Sequence, residues 1–380
     1  MHYRVISANI TDNYTVRDVK SCINIIKNIV DIDWRDILDN GSNLEYPDCT
    51  IKYLTRGHGG GYIYLVKHAK CGIGVLKIID NYKYKKVRAR ISINKCHIKG
   101  EIYYSLKCKY LIEKNICPGF LYSYYAKYTS NYTYIFSEYV NESVKNWIKT
   151  QHTHYEWMAM LFQVLYALYC FHTVLDSYHG DLHIGNIFYK NIDPDIVFSY
   201  KIKNKTYNIA TNGVLFMIAD YGQSFICNNI TNETKNIYYA KDLHKLLNIN
   251  IYALYYNITK TYTMDDIKQI IYKNNDKYFD NYLASIITKY SKIPEKPEYF
   301  NYKIEKLVIM YCIEKKYITY TDIINMAPEY NHSLPPQSIC TFLDNIKSHN
   351  LTILQMFELF YVYFTENNIQ TTNSINFSLS

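Results

Sequence analysis

The sequence predicts an α+β protein, with strands grouped early in the chain and helices later. Three observations carry this reading. Between residues 49 and 79, short alternating β-rich runs flank a glycine-rich turn. The spacing of apolar residues then turns helical, most clearly over Trp157–His172, where apolar side chains occupy every face. Residues 250–380 are again helix-rich by periodicity. A length of 380 residues, 48% hydrophobic and 20% charged, suits one two-lobed domain or two small ones.

Taken in order, residues 1–50 read as an N-terminal extension with short helices at Val19–Ile29 and Trp34–Leu38 and a turn at Asn40-Gly-Ser-Asn43. Strands follow at Cys49–Leu54, Tyr62–Lys67 and Gly74–Ile79, with Arg56-Gly-His-Gly-Gly-Gly61 between the first two. Lys77 lies in the middle of an apolar strand, where an unpaired charge is costly, so it must reach solvent or find a partner. A helical stretch follows from Glu101 to Leu111, with Glu113 just beyond it. Cys117-Pro-Gly-Phe120 breaks the helix, and Tyr132–Tyr139 reads as a strand. The buried helix 157–172 leads to the polar loop Tyr178-His-Gly-Asp-Leu-His-Ile-Gly-Asn186, then a short strand at Ile187–Tyr189. Ser199–Ile209 reads as a hairpin, and the apolar run Val214–Ala219 runs into Asp220-Tyr-Gly222. Helical spacing returns at Met264–Ile271, Ile304–Tyr311 and Thr352–Phe364, while Pro335-Pro336 marks a loop and Asn367–Ser380 a polar, frayed tail.

Composition narrows the setting. The 44 tyrosines, with abundant Ile, Asn and Lys, fit AT-rich codon usage of the kind found in some large DNA viruses and protists. A net charge of +8 leaves room for acidic partners, but no nucleic-acid-binding fingerprint accompanies it. The clearest basic cluster is Lys83, Lys85, Lys86, Arg88 and Arg90, read either as a solvated loop or as a docking site for an acidic substrate or membrane surface. Ten cysteines without a Cys-x-x-Cys pair, and a start without a secretory pattern, predict reduced thiols in an intracellular, cytoplasmic protein. The longest apolar run, Met158–Phe171, is interrupted by Gln163 and too short to span a bilayer, so no membrane span is expected.

The chemistry concentrates in two short motifs. One carboxylate, Asp181, and one carboxamide, Asn186, share a loop between core elements, and a second carboxylate, Asp220, follows an apolar strand. Two acids and an amide held at one place suit in-line phosphoryl transfer, with one acid for the attacking hydroxyl and the other two groups for magnesium. His179-Gly-Asp181…Asn186 with Asp220-Tyr-Gly222 resembles the catalytic and metal loops of the protein-kinase-like superfamily. Gly57-His-Gly59-Gly60-Gly61 resembles its glycine-rich loop, one residue short, and Val75-Leu-Lys77-Ile resembles its lysine strand.

The resemblance covers about residues 51–250 and implies a two-lobed kinase-like fold. A small antiparallel sheet with one helix (51–140) would precede a larger, mainly helical lobe (141–366). It implies ATP and Mg2+ as cofactors, with Gly57, Gly59, Gly60 and Gly61 covering the phosphates. Lys77 would bind the α and β phosphates, held by Glu101 as its partner, with Glu113 as the alternative. The backbone of Glu138 to Val140 would meet adenine, with Phe136 near the gatekeeper position. Asp181 would act as base, and Asn186 and Asp220 would hold magnesium. His183 would touch the γ-phosphate or substrate, or serve as a structural hydrogen-bonding group. His179 would be structural; the four-residue spacing of His179 and His183 suits zinc on a helix, but these lie in a loop with no third ligand in view.

Three departures refine the family. Gly180 stands where many kinases have an arginine that answers to a phosphorylated activation loop. An inserted hairpin helps separate Asn186 from Asp220 by 34 positions. Only 22 positions then lead to Asp242, which resembles the buried aspartate supporting the catalytic loop. Ala-Pro-Glu is missing from that interval, and Ala327-Pro-Glu329 lies too far downstream to serve. This combination resembles haspin-like kinases and divergent serine/threonine kinases of large DNA viruses. A protein substrate with a Ser or Thr hydroxyl is therefore expected. The alternatives are a small-molecule phosphotransferase similar to aminoglycoside and choline kinases, which share His-Gly-Asp-Leu-His, and a nucleotide-binding pseudokinase.

Overall fold

The computed structural model describes residues 23–24, 26–27, 34, 37–38, 42–46, 49–56, 61–69, 72–83, 98–140, 142–228, 230–249, 254–255, 258–259, 262–291, 297–319, 322, 335–349, 351–365 and 374–378, side chains at 46, 98–99, 289–303, 348 and 361–378 excepted. Gly57, Gly59 and Gly60, Lys85, Lys86, Arg88 and Arg90, and Ala327-Pro-Glu329 lie outside the described residues. The protein is α+β. By compactness it divides into two units, one of residues 1–144, 159–246 and 351–380, the other of 145–158 and 247–350.

The first unit is built on a six-stranded sheet. Strands β1 (Leu44–Tyr46), β2 (Cys49–Arg56), β3 (Gly61–His68), β4 (Gly72–Asp80), β5 (Ser123–Tyr128) and β6 (Tyr132–Glu138) lie in the order β1-β2-β3-β4-β6-β5. Every neighbouring pair is antiparallel. Side chains alternate across a strand, and β4 uses that alternation to serve two purposes. Leu76 and Ile78 point into a core with Ile51, Tyr64, Tyr134 and Phe136, while Lys77 points to the other face, toward helix α1 (Ile98–Glu113). The described part of the first fifty residues belongs to this core. Ile26, Trp34 and Leu38 are buried in it, and Trp34 meets Tyr64 edge-on at 5.4 Å.

The remainder of this unit surrounds one buried helix. The short strand β7 (Glu142–Ser143) leads to helix α2 (Val144–Trp147) and helix α3 (His154–Thr173); residues 145–158 belong to the second unit, and from Ala159 on α3 is in the first unit and almost all buried, as apolar residues on every face require. The short strand β8 (Ser177–Tyr178) opens the polar loop, and strand β9 (Ile187–Asn191) closes it. Strands β10 (Val197–Ile202) and β11 (Lys205–Ala210) form the expected hairpin, turning at Lys203 with φ 53°. Strand β12 (Val214–Ile218) pairs antiparallel with β9, and β9 with β7. A two-residue strand β13 (Phe225–Ile226) pairs with β8. Helix α4 (Asn232–Leu247) follows.

Besides most of α2 and the start of α3, the second unit holds α5 (Met264–Lys273), α6 (Phe279–Ser291), α7 (Pro297–Glu314) and α8 (Gln337–His349). Ile267, Ile271, Phe279, Val308 and Cys312 form its core. Thr263 and Asp266 form a reciprocal capping box that fixes the start of α5.

The chain returns to the first unit with helix α9 (Ile353–Thr365) and strand β14 (Ser374–Ser378). The tail is not a frayed end over these last residues. β14 pairs in parallel with β10, from Val197↔Ser374 to Lys201↔Ser378. Phe357 and Phe360 of α9 pack on Phe162 of α3 at 5.3 and 5.5 Å, beside Tyr200 and Tyr207 of the hairpin. The inserted hairpin is thus a core element.

The described cysteines Cys49, Cys108, Cys117, Cys170, Cys227, Cys312 and Cys340 are buried. Among the described residues, no helix is long and apolar enough to cross a membrane.

Phe162 has no exposed surface and touches four aromatic rings drawn from the hairpin and α9. Phe162→Ala should therefore cost about 3–5 kcal/mol, the range for removing a large buried ring. Equilibrium urea unfolding measures it, and a loss below about 1 kcal/mol would show that the hairpin and α9 do not pack on α3 as described.

Candidate active site

Lys77 is the centre of the site. Its Nζ donates to Glu101 Oε1 of α1 and, at 3.0 Å, to Asp220 Oδ1 beyond β12. Burial alone would lower the lysine's pKa, but the carboxylates of Asp220 and Glu101 outweigh it and hold the ammonium well above its ordinary value. The Lys77 charge in turn keeps Asp220 below the usual carboxylate range, against the effect of burial. Glu101 is buried, whereas Asp220 keeps 45% of its side-chain surface open. Glu113, the alternative partner, is turned elsewhere and accepts from the Tyr122 hydroxyl at 2.8 Å. Gly61 begins β3 directly over this lysine. A Cβ there would lie 3.3 Å from Lys77 Cε, so glycine leaves the ammonium room to reach both acids.

The polar loop is held through its backbone. The fully buried Asp242 of α4 accepts from the amides of His179 at 2.8 Å and Gly180 at 3.0 Å, and from His172 Nε2 at 3.1 Å. His179 Nε2 donates to Ala219 O at 3.2 Å, while its Nδ1 accepts from the Asp181 amide at 3.3 Å. Burial lowers the pKa of this ring, which suits the neutral tautomer that both bonds require. Asn186 Nδ2 donates to Asp181 O at 2.9 Å, and Asn186 O accepts from the Ala219 amide at 2.9 Å. Asp181 and Asp220, 39 positions apart, are thereby tied together through Asn186 and Ala219.

Two backbone conformations are forced here. Asp220 sits in the left-handed region at φ 62°, which Asp tolerates better than most residues. Gly180 has φ 81°, and a Cβ on it would lie 2.6 Å from Gln223 O. No arginine can replace Gly180 without moving the segment after Asp220. Ser224 Oγ of that segment donates to His179 O at 3.0 Å, and Tyr221 stacks on Phe171 at 5.8 Å.

The remaining sequence-predicted residues divide. His183 stands beside Asp181, with Nε2 3.9 Å from Asp181 Oδ2 and Nδ1 accepting from the Gly185 amide at 3.0 Å. The Glu138 amide is engaged by Tyr122 O at 2.9 Å, and its carboxylate by Lys190 and the Tyr122 amide. Of Glu138, only the carbonyl is therefore left as a candidate for adenine, and Val140 lies in the extended stretch between β6 and β7. Phe136 corrects an expectation. It is a core residue on the face of β6 away from Lys77, while Ile135, paired with Lys77, and Ser137, paired with Val75, lie on the lysine's side.

One group was missed from sequence. Lys245 of α4 donates to Gly180 O at 2.9 Å and lies 3.9 Å from Asp181 Oδ1. Its spacing of three from Asp242, one helical turn along the same face, is the signal that could have found it.

The oxygen donors fit a hard cation of magnesium type. Asn186 Nδ2 is committed to Asp181 O, which leaves its carbonyl oxygen, and the open Asp220 carboxylate supplies the anionic ligand. Few protein ligands, one of them charged, match an ion that keeps several waters and binds substrate phosphates.

Two predictions follow from the loop. Gly180→Ala should lose about 1–3 kcal/mol from the left-handed backbone alone, and more from the contact with Gln223, read by urea unfolding. Equal stability would show that Gly180 does not adopt this conformation. The second concerns pH. His172 and His179 have folded pKa values below 6.5, chiefly through burial. Each takes up a proton on unfolding, so acid favours the unfolded chain. The contribution of these rings is present above pH 6.5 and is lost as pH falls below that value. The urea midpoint should drop between pH 7 and pH 5, and His179→Gln should flatten the slope.

No protein-family model matches this chain, and no curated protein matches it in sequence.

Proposed function

We propose that this chain is an ATP- and magnesium-dependent phosphotransferase that moves the γ-phosphoryl group to a protein Ser or Thr hydroxyl. In this reading it is a divergent relative of the protein-kinase-like superfamily, resembling the haspin-like and large-DNA-virus kinases. The six-stranded sheet with α1 serves as the nucleotide-covering lobe. The observation that carries the proposal is the joining of Lys77, Glu101 and Asp220 in one ion cluster, tied through Ala219 and Asn186 to Asp181.

The residues then divide the work. Lys77, held by Glu101, neutralises the non-transferred phosphates. Asp181 orients the acceptor hydroxyl and takes its proton as oxygen bonds to the γ-phosphorus. The bond from that phosphorus to the β–γ bridging oxygen breaks, and ADP leaves with the electron pair. Magnesium, when bound by Asn186 and Asp220, supplies positive charge for the phosphate oxygens. Catalysis of this kind is positioning and charge neutralisation, so rigid delivery of these side chains matters more than covalent chemistry.

A second reading has its own support. Only residues 221–231 separate Asp220 from α4, a short span for holding an extended peptide. Small-molecule phosphotransferases share such a span, so an amino-alcohol acceptor competes with a protein one.

The test is transfer from labelled ATP with magnesium to casein or histone, run against a panel of amino-alcohols, with Asp181→Ala as control. The expected outcome is labelling of protein acceptors, with Asp181→Ala slower by about 10²–10⁴-fold and nucleotide affinity retained. Transfer to an amino-alcohol alone establishes the second reading. Labelling of no acceptor, nor of the chain itself, sinks both and leaves a nucleotide-binding protein without chemistry.

A further inference from the structure

Helix α4 reaches the polar loop with two charged side chains one turn apart. Asp242 already anchors the loop, fully buried and accepting two backbone amides. Lys245 adds a bond to Gly180 O at 2.9 Å, but a neutral donor would satisfy that carbonyl equally well. What lysine adds is a full positive charge, 38% exposed and 3.9 Å from Asp181 Oδ1.

The site needs a cation at that spot. On the phosphotransferase reading, an ATP terminal phosphate must approach Asp181, and two anions brought together repel. Lys77 is committed on the other side, to Glu101 and Asp220. His183 also stands beside Asp181, with its Nδ1 accepting the Gly185 amide. Lys245 reaches the acceptor side of Asp181 from α4.

We propose that Lys245 is the acceptor-side cation of this site, meeting the γ-phosphoryl oxygens as they approach Asp181 and so making the site prefer a nucleoside triphosphate to a diphosphate. The proposal rests on the phosphotransferase reading and adds a residue from a helix that follows the metal loop.

The test separates charge from tethering. Lys245→Gln keeps a donor for Gly180 O and removes the charge, Lys245→Arg keeps both, and Lys245→Met removes both. Calorimetric titration of each full-length variant uses the magnesium complexes of ADP and of the β,γ-imido analogue of ATP. Wild type should bind the analogue more tightly than ADP. Lys245→Gln should lose about tenfold or more for the analogue, as expected for one charge-assisted hydrogen bond, with ADP affinity within about twofold. Lys245→Arg should restore most of the preference, and Lys245→Met should match Lys245→Gln. Equal losses for both nucleotides, or no loss, would mean that Lys245 only tethers the loop, and the proposal falls. Wild type that binds neither nucleotide overturns the phosphotransferase reading and takes this one with it. Binding without a triphosphate preference overturns the Lys245 assignment alone.

Discussion

An ammonium on the inner face of a sheet is the constraint from which the site follows. Lys77 sits in β4 between Leu76 and Ile78, both without exposed surface, so its neighbours fix the strand and alternation fixes its direction. Pointed at α1, the charge needs compensation, and single removal of a partner from such a pair is far costlier than the pair's net worth. Glu101 and Asp220 supply that compensation from two elements distant in sequence. The position of α1 over the sheet and of the segment after β12 are therefore coupled to one side chain. Gly61 belongs to the same solution, because a side chain there would press on the lysine's stem.

The polar loop is organised by a different device. Its shape is set by buried groups that bond its backbone, namely Asp242, His179 and Asn186, so the Asp181 carboxylate is left partly exposed. The two systems meet at Ala219, whose amide bonds Asn186 and whose carbonyl bonds His179, one residue before Asp220. A left-handed Asp220 completes the junction by turning the carboxylate toward Lys77. Displacing any member of this chain would move both acids together.

Much of this was legible in the sequence, for physical reasons that can be named. The strands around the glycine turn, the buried helix and the hairpin were readable because alternation and all-round hydrophobicity are local signals. That Lys77 needs a partner was readable because a charge in an apolar strand demands an answer, and the family resemblance named Glu101; its second carboxylate, Asp220, was expected only as a metal ligand. Strand β14 was not, since the tail Asn367–Ser380 is polar and its pairing with β10 is a contact across more than 170 positions. Strand β5 follows the helix break too closely to show a period of its own. The core role of Ile26, Trp34 and Leu38 was hidden for a similar reason, because an apolar residue in a mixed-period stretch does not name the sheet it covers. Phe136 faces the core and not Lys77, because neighbouring positions in a strand point to opposite faces. Lys245 was overlooked because its spacing of three from Asp242 takes on meaning only once α4 is seen to face the loop.

Gly180 shows how the absence of a side chain can carry structural information. A charged residue at that position, as in many kinases, lets a remote phosphate govern the loop. Here φ and the Gln223 carbonyl exclude any side chain, so the loop has no such handle. Its order comes instead from contacts that are always present: Asp242 beneath it, Lys245 on Gly180 O, and Ser224 on His179 O. The segment after Asp220 is short and pinned by the pairing of β13 with β8. A site assembled by buried hydrogen bonds and fixed charges would, on the phosphotransferase reading, need no covalent modification to reach its working shape. On the phosphotransferase reading its control would lie in access of the acceptor and not in rearrangement of the loop.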